Sequence, residues 1–292
     1  RSVLPLPALC QGGQHVLAGD TGVRKIPGLI DVRRVRDPGV LRSVAADTRL
    51  GRVTPGRGPL FNRFIARMAS DLFRAERRVL PSGRAPDDLG RLDMRAALIQ
   101  RIEAPDLADR CAVAVTEAAA FVRDGSGDAM RVTQAVLGCV VLDSCEPSFR
   151  TVKAAEDIDR VLNGGLLRQF LDWLVGGTRS ARSVLFKACD GDLNAVHTLG
   201  IASQNFAASL IILRALPRET AAKVALARAM TAPTQVIRQG TCPVETRAGG
   251  VESGTLVILQ TADVTRRTLD PRDAFLRDAW SGCPAHALVP DL

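Results

Sequence analysis

Three groups of side chains in this sequence have the types and spacing to do chemistry. The first is cysteine, present seven times at positions 10, 111, 139, 145, 189, 242 and 283. The number is odd, the spacing is wide and no C-x-x-C pair occurs, so neither a zinc ribbon nor a dithiol redox motif is indicated. Reduced thiols in a cytosolic protein are the simplest account. Cys283 stands in Trp280-Ser281-Gly282-Cys283-Pro284-Ala285-His286, close to the end of the sequence, where a lone cysteine is more often inert than reactive. The second group is Gln204 and Asn205, with Ser209 one turn further on, inside an apolar helical stretch. Amides in such a place need hydrogen-bond partners if they are buried. Lining a pocket is one answer, and capping a neighbouring loop is the other. The third group is arginine: Arg78 closes Phe73-Arg74-Ala75-Glu76-Arg77-Arg78, and Arg238 closes Gln235-Val236-Ile237-Arg238. A guanidinium carries a permanent charge and clamps carboxylates bidentately, although a surface salt bridge is the plainer role for either residue. There is no Walker-type loop, no G-x-S-x-G and no H-E-x-x-H.

Composition narrows the class. At 292 residues the chain is long enough to bury a substantial core. Its net charge of +8 comes mostly from arginine scattered through helical stretches rather than massed in one block. Such a surface is either plainly solvated or docks an acidic partner. With nine Phe, two Trp and no Tyr, the chain lacks the stacking platforms of a specific nucleic-acid binder. Val3 to Leu9 is broken by two prolines and makes no signal-peptide core. The most apolar helix, Leu199 to Leu213, holds Ser203, Gln204 and Asn205 and is too short and polar to span a bilayer. The expectation is a soluble, cytoplasmic, bacterial-type protein with no membrane contact.

The elements that must position these groups are mainly helical. Residues 1–30 are rich in Gly and Pro and are expected to be irregular. Asp37-Pro38 marks a helix start, with Pro just inside it. Leu60 to Leu80 alternates apolar and basic residues at helical spacing, and helices follow over Leu89 to Glu103 and from Ala104-Pro105-Asp106 to Arg123. Met130 to Leu142 is apolar enough to be a buried helix. Val152 to Val175 is a long amphipathic stretch with a break at Gly164-Gly165. Three more helices cover Ser180 to Cys189, Leu193 to Leu213 and Glu219 to Met230. After Pro233 the period changes. Gln235 to Arg238, Val244 to Arg247 and Thr255 to Thr261 read as three short strands, separated by Ala248-Gly249-Gly250 and Glu252-Ser253-Gly254. The fold class is mainly α with a small β-sheet, not alternating βα units.

The order from Thr231 to Arg267 resembles the cytochrome P450 superfamily just after its K helix. Ala232-Pro233-Thr234-Gln235-Val236-Ile237-Arg238, Gly249-Gly250-Val251, Ser253-Gly254-Thr255 and Leu256-Val257-Ile258-Leu259 fall in register with the family's pattern, and Asp270-Pro271 stands where its trailing Asp-Pro does. The resemblance implies a single cytochrome P450-like helical domain over 1–292, incomplete at the C-terminus. It divides into an irregular segment at 1–30, helices over 31–230, a small β region over 231–267 and a remnant of the ligand-loop region over 268–292. It further implies haem b, with Cys283 as the iron ligand and Arg78 and Arg238 on the propionates. Arg78 would lie in the C helix, where Arg74 replaces an expected His. Gln204, Asn205 and Ser209 would lie on the distal helix, where the family's acid-Thr pair is reduced to Ala208-Ser209.

Other positions depart from the family pattern. The K helix Glu-x-x-Arg reads Ala225-Leu226-Ala227-Arg228, and loss of one member of a buried pair leaves an uncompensated charge. The signature Phe-Gly-x-Gly-x-His-x-Cys-x-Gly keeps only Cys283-Pro284-Ala285. Leu276 stands where its Phe is expected, and nine residues follow Cys283, too few for the family's next helix. Two functions are consistent with this. One is a haem-thiolate monooxygenase acting on a small apolar substrate, with a ferredoxin or flavoprotein as electron donor. The alternative is a haem-free homologue that serves as a binding or auxiliary partner protein without catalysis.

Overall fold

The structure is a computed structural model and describes residues 16–17, 21–231, 233–276, 279 and 282–283. Its strands are β1 (Val16–Leu17), β2 (Thr21–Ile26), β3 (Ile30–Val35), β4 (Leu50–Gly51), β5 (Arg74–Ala75), β6 (Arg78–Val79), β7 (Val236–Gly240), β8 (Val244–Thr246), β9 (Gly249–Val251) and β10 (Leu256–Leu259). Its helices are α1 (Pro38–Ala46), α2 (Leu60–Leu72), α3 (Leu89–Ile102), α4 (Leu107–Asp124), α5 (Ala129–Val141), α6 (Phe149–Leu162), α7 (Gly165–Val175), α8 (Gly177–Ala188), α9 (Leu193–His197), α10 (Ser203–Ala215), α11 (Ala222–Ala229), α12 (Thr261–Thr268) and α13 (Arg272–Phe275). The expected class holds: the chain is mainly helical, with small sheets.

Local chemistry sets most of the helix boundaries. Asp37 accepts from the Val40 amide at 2.8 Å ahead of Pro38, so α1 begins where the Asp-Pro pair signals it. Asp88, Asp128 and Ser148 cap α3, α5 and α6 in the same way. Gly125 closes α4 in the left-handed conformation. α5 is buried on every side from Val132 to Val141, as a helix apolar all round must be. It forms the centre of the main core with Ile158 of α6, Leu185 of α8 and Leu210 of α10.

The larger sheet runs β1-β2-β3-β10-β7-β4. All four residues of β10 are buried, so it needs a partner on each edge. β7 supplies one edge, antiparallel, with Arg238 opposite Val257. β3 supplies the other, parallel, with Val32 opposite Leu256. The parallel pairing joins segments more than two hundred residues apart in sequence.

Several expectations are corrected. The irregular segment expected over 1–30 gives way, where described, to β1 and β2, and the region expected to be helical opens with β3. The helix expected over Leu60 to Leu80 stops at Leu72. Glu76 and Arg77 take positive φ and turn the chain into the β5–β6 hairpin, so Arg78 stands on a strand rather than a helix. The β region expected to 267 ends at Leu259, and α12 follows. Cys139 and Cys145 form a disulfide across 4.7 Å between Cα atoms, which overturns uniformly reduced thiols. The apolar helix around 199–213 is longer than read: α9, a π turn and α10 run on from Leu193 to Ala215, long and apolar enough to cross a membrane by length and composition alone. A core helix meets the same test, and Leu193, Val196, Leu199 and Leu210 are buried in the protein's own interior.

Candidate functional site

A cavity of about 1730 Å³ lies between the larger sheet and the helices, walled by Ile237 and Ile258 on one side and by Leu98, Leu137 and Ile201 on the other. Pockets for drug-sized ligands run to about 300–1,000 Å³, so there is room for more than one such molecule.

The helix that crosses the cavity is shaped by its own irregularity. Asp192 caps α9 by accepting from the amides of Asn194 and Ala195. From Thr198 to Ala202 the turn widens to a π turn before α10 resumes, an irregularity that is frequent at functional sites. The Leu199 carbonyl accepts from two side chains, Ser203 Oγ at 2.7 Å and Gln134 Nε2 at 3.0 Å. Gly200 sits in this turn because a Cβ there would lie 2.7 Å from Leu185 Cδ1. Just beyond, Gln204 and Asn205 are half-buried on the cavity wall, and neither side chain has a hydrogen-bond partner among the described residues. Of the two roles open to these amides, lining a pocket fits and capping a loop does not. Ser209 is engaged otherwise. It is buried, and its hydroxyl donates to the main-chain oxygens of Asn205 and Ala229, both at 3.0 Å, clamping α10 to α11.

A cationic group occupies the cavity's sheet side. Arg238 of β7 is fully buried, and Arg52, just after β4, and Arg91 of α3 line the same wall. Burial, then the charges of Arg52 and Arg91, hold the Arg238 guanidinium well below its ordinary value. Burial and the Arg91 charge bring Arg52 down to about 10. His197, at the end of α9, is pushed down to about 4 by burial and by Arg52, and its Nδ1 lies 3.3 Å from Ser82 Oγ. The site thus holds clustered guanidiniums beside a neutral imidazole.

Arg78 is not brought here. It is exposed on β6, with its guanidinium 5.6 Å from the centre of the Phe186 ring. Arg228 is exposed too, so the absence of an acid at Ala225 leaves no buried cation stranded. Cys283 does reach the cavity wall. Its amide donates to the Phe275 oxygen at 2.9 Å, and Arg95 donates to the oxygen of Gly282 beside it. Trp280, Ser281, Pro284, Ala285 and His286 lie outside the described residues.

Sequence reasoning missed Arg52, Arg91, Arg95 and His197. Arg91 and Arg95, four apart behind the Asp88 cap, carried a readable helical signal. Arg52 carried none. It reaches Arg238 only because β4 pairs with β7, with Gly51 opposite Gln239.

No protein-family model and no curated protein matches the chain. Solved structures do. A six-coordinated cytochrome P450 from Thermus thermophilus superposes with a TM-score of 0.61 at 16% identity, over 94% of this chain and 84% of that one. P450 OxyD, described as involved in the biosynthesis of vancomycin-type antibiotics, gives 0.57 at 15% identity over 92% and 82%. Cytochrome P450 MoxA from Nonomuraea recticatena gives 0.56 at 14% identity over 93% and 82%. Identities this low speak to fold alone. With helices and a small sheet enclosing a large cavity, and a match over most of its length, the chain has the cytochrome P450 fold.

Proposed function

We propose that the chain is a haem-thiolate monooxygenase-like protein that binds haem b in this cavity and inserts one oxygen atom of O2 into an apolar substrate. The observation that carries the reading is that Cys283 and the Gln204–Ala208 segment line one and the same cavity. An iron porphyrin with two carboxylates asks for a thiolate, buried cations and apolar walls, and the donor set here fits that demand. Cys283 would hold the iron, and Arg238 with Arg91 would hold the carboxylates in place of the Arg78 that faces away. When bound, haem supplies oxygen activation, which thiolate ligation assists. The chain's own parts do the rest. Buried guanidiniums neutralise carboxylate charge where water is scarce. Gln204 and Asn205 present amides that would orient water at the cavity wall and hold a proton-donating group there, and the apolar walls exclude bulk solvent. Ser209 acts by fixing the position of α10 rather than by direct contact. Two electrons and two protons are needed per O2, the second oxygen leaving as water. A cytoplasmic ferredoxin or flavoprotein docking on the basic surface would supply the electrons.

The test is an absorption spectrum of the haem-supplied protein, reduced and exposed to carbon monoxide. A red-shifted Soret band that is lost in Cys283→Ala supports the reading. A folded protein that takes up no haem overturns it.

A second reading, a haem-free homologue acting as a partner protein, is favoured by one specific observation. Ala225 and the exposed Arg228 show that α11 packs without the buried ion pair expected of the family's haem-binding core. Affinity capture with the protein as bait, giving the same partner from Cys283→Ala as from wild type, would support this reading.

A further inference from the structure

The cavity wall carries far more positive charge than a haem would use. Its lining includes twelve arginines against three aspartates, with no lysine or glutamate. The three acids are committed within the protein. Asp71 accepts from Trp173 Nε1 at 2.6 Å, Asp159 from Asn163 at 2.7 Å, and Asp172 from the Thr178 hydroxyl at 2.7 Å. Two carboxylates of a porphyrin would engage the group around Arg238 and Arg91 and leave the rest.

A second set of arginines stands apart from that group, on α7 and α8. Arg168 and Arg179 are exposed and line the cavity, and neither forms a hydrogen bond or ion pair with a described residue. Arg182 is only 4% exposed. Its Nε and Nη2 donate to the main-chain oxygens of Arg74 and Asp71, while Nη1 is buried with no hydrogen-bond partner. Burial draws its guanidinium down to about 10, and the nearby charge of Arg179 adds to that against Asp172 and Asp71. Beside them Trp173 forms part of the wall, backed by Phe64 and Phe170. A cationic rim on the same wall as an aromatic surface suits a molecule with a charged end and an apolar body. Such a rim also concentrates anions at a cleft.

We infer that the organic ligand of this cavity is an anionic amphiphile, an apolar body bearing a carboxylate or phosphate that Arg168, Arg179 and Arg182 receive. This rests on reading the cavity as a substrate site, and it refines the apolar substrate proposed above.

The probes are 4-phenylbutyrate, 4-phenylbutyl phosphate and the uncharged 4-phenylbutan-1-ol. Each is titrated by calorimetry into the protein as purified and again after haem addition, and quenching of Trp173 fluorescence, read in a Trp280→Phe background that leaves it the one tryptophan, reports location. At low salt, at least one anion is expected to bind about tenfold or more tightly than the alcohol. The preference is expected to shrink in high salt. Which anion binds more tightly assigns a carboxylic acid or a phosphate ester. Because Arg168 and Arg179 are exposed, Arg168→Gln/Arg179→Gln is expected to fold normally, to lose most of the anion preference and to bind the alcohol unchanged. Equal binding of all three probes, no binding of any, or an undiminished preference in the double variant overturns the inference. Haem uptake is read separately from the Soret band, so a failure of the haem reading and a failure of this one are told apart.

Discussion

Gln134 Nε2 donates to the main-chain oxygen of Leu199 at 3.0 Å and to that of Thr151 at 3.1 Å, so one buried amide ties α5 to α6 and to the π turn at the cavity. Replacing it with Leu keeps the volume and deletes both bonds. Leu199 retains Ser203, while Thr151 loses its side-chain donor. Gln134→Leu is expected to cost about 1–3 kcal/mol, read from urea denaturation. Combined with Ser203→Ala, which removes the remaining side-chain donor to Leu199, the loss should exceed the sum of the two single losses. Strict additivity would mean that the two donors do not share the turn.

Gly200 makes the neighbouring contact possible. An added Cβ would stand 2.7 Å from Leu185 Cδ1 and 3.5 Å from Ile158 Cδ1, and both side chains are fully buried. Overpacking of this kind costs about 1–3 kcal/mol, while Ala in place of Gly returns up to about 1 kcal/mol of helix propensity. Gly200→Ala is therefore expected to lower Tm by several degrees. Leu185→Val should be less damaging in the Gly200→Ala background than alone, because it makes room for the new methyl group.

These two positions show what could be read in advance. Helices announced by caps and periodicity, such as α1 behind Asp37 and α5 with its continuous apolar run, were legible because the information is local. The break at Gly164, between α6 and α7, was legible for the same reason. The hairpin carrying Arg78 was not, since Phe73 to Val79 keeps a helix-compatible pattern and only two positive-φ residues, Glu76 and Arg77, turn it. Neither was the β3–β10 pairing, nor the meeting of Arg52 with Arg238, because both are fixed by strand register between distant segments. Within the site, Arg238, Gln204, Asn205 and Cys283 were named and share the cavity. Arg52 and His197 emerge only from the assembled fold, and Arg91, whose helical spacing was readable, acquires its place beside Arg238 only there.

His197 should make stability depend on pH in a narrow window. Its folded value is about 4 against an ordinary 6.5, so between those values the unfolded chain holds a proton that the folded protein refuses. Stability is then full above about pH 6.5, falls as pH drops, and levels off below about 4. The shift corresponds to about 2–3 kcal/mol, at the lower end because the ring is only partly buried. His197→Gln should flatten this slope. Arg52→Gln should raise the His197 value toward 6.5, since the Arg52 charge is one of its two causes. Both are checked by NMR titration of the imidazole and by denaturation across pH. An unmoved His197 titration in Arg52→Gln would rule out the coupling.

Arg42 governs the segment that delivers Cys283. Its Nε and Nη2 donate to the two oxygens of Asp273 at 2.7 and 2.9 Å, and Thr268 Oγ1 adds a third bond at 2.8 Å. Asp273 is 3% exposed, so without Arg42 its carboxylate stays buried on a single hydroxyl. Breaking a buried pair outright costs about 3–5 kcal/mol. The Arg42 side chain is half exposed, which brings the expectation for Arg42→Ala to about 1–3 kcal/mol. The loss should also be felt locally, because Asp273 belongs to α13 and the Cys283 amide hangs on the Phe275 oxygen at its end. In a Cys10→Ser/Cys242→Ser background, which removes the cysteine outside the described residues and the exposed thiol among them, Arg42→Ala should therefore speed alkylation of Cys283 under conditions where the protein remains folded. Arg42→Lys, which keeps the charge but not the two-pronged geometry, should fall between wild type and Ala. An alkylation rate that tracks global unfolding alone would show that the Arg42–Asp273 pair steadies the whole fold and not this segment in particular.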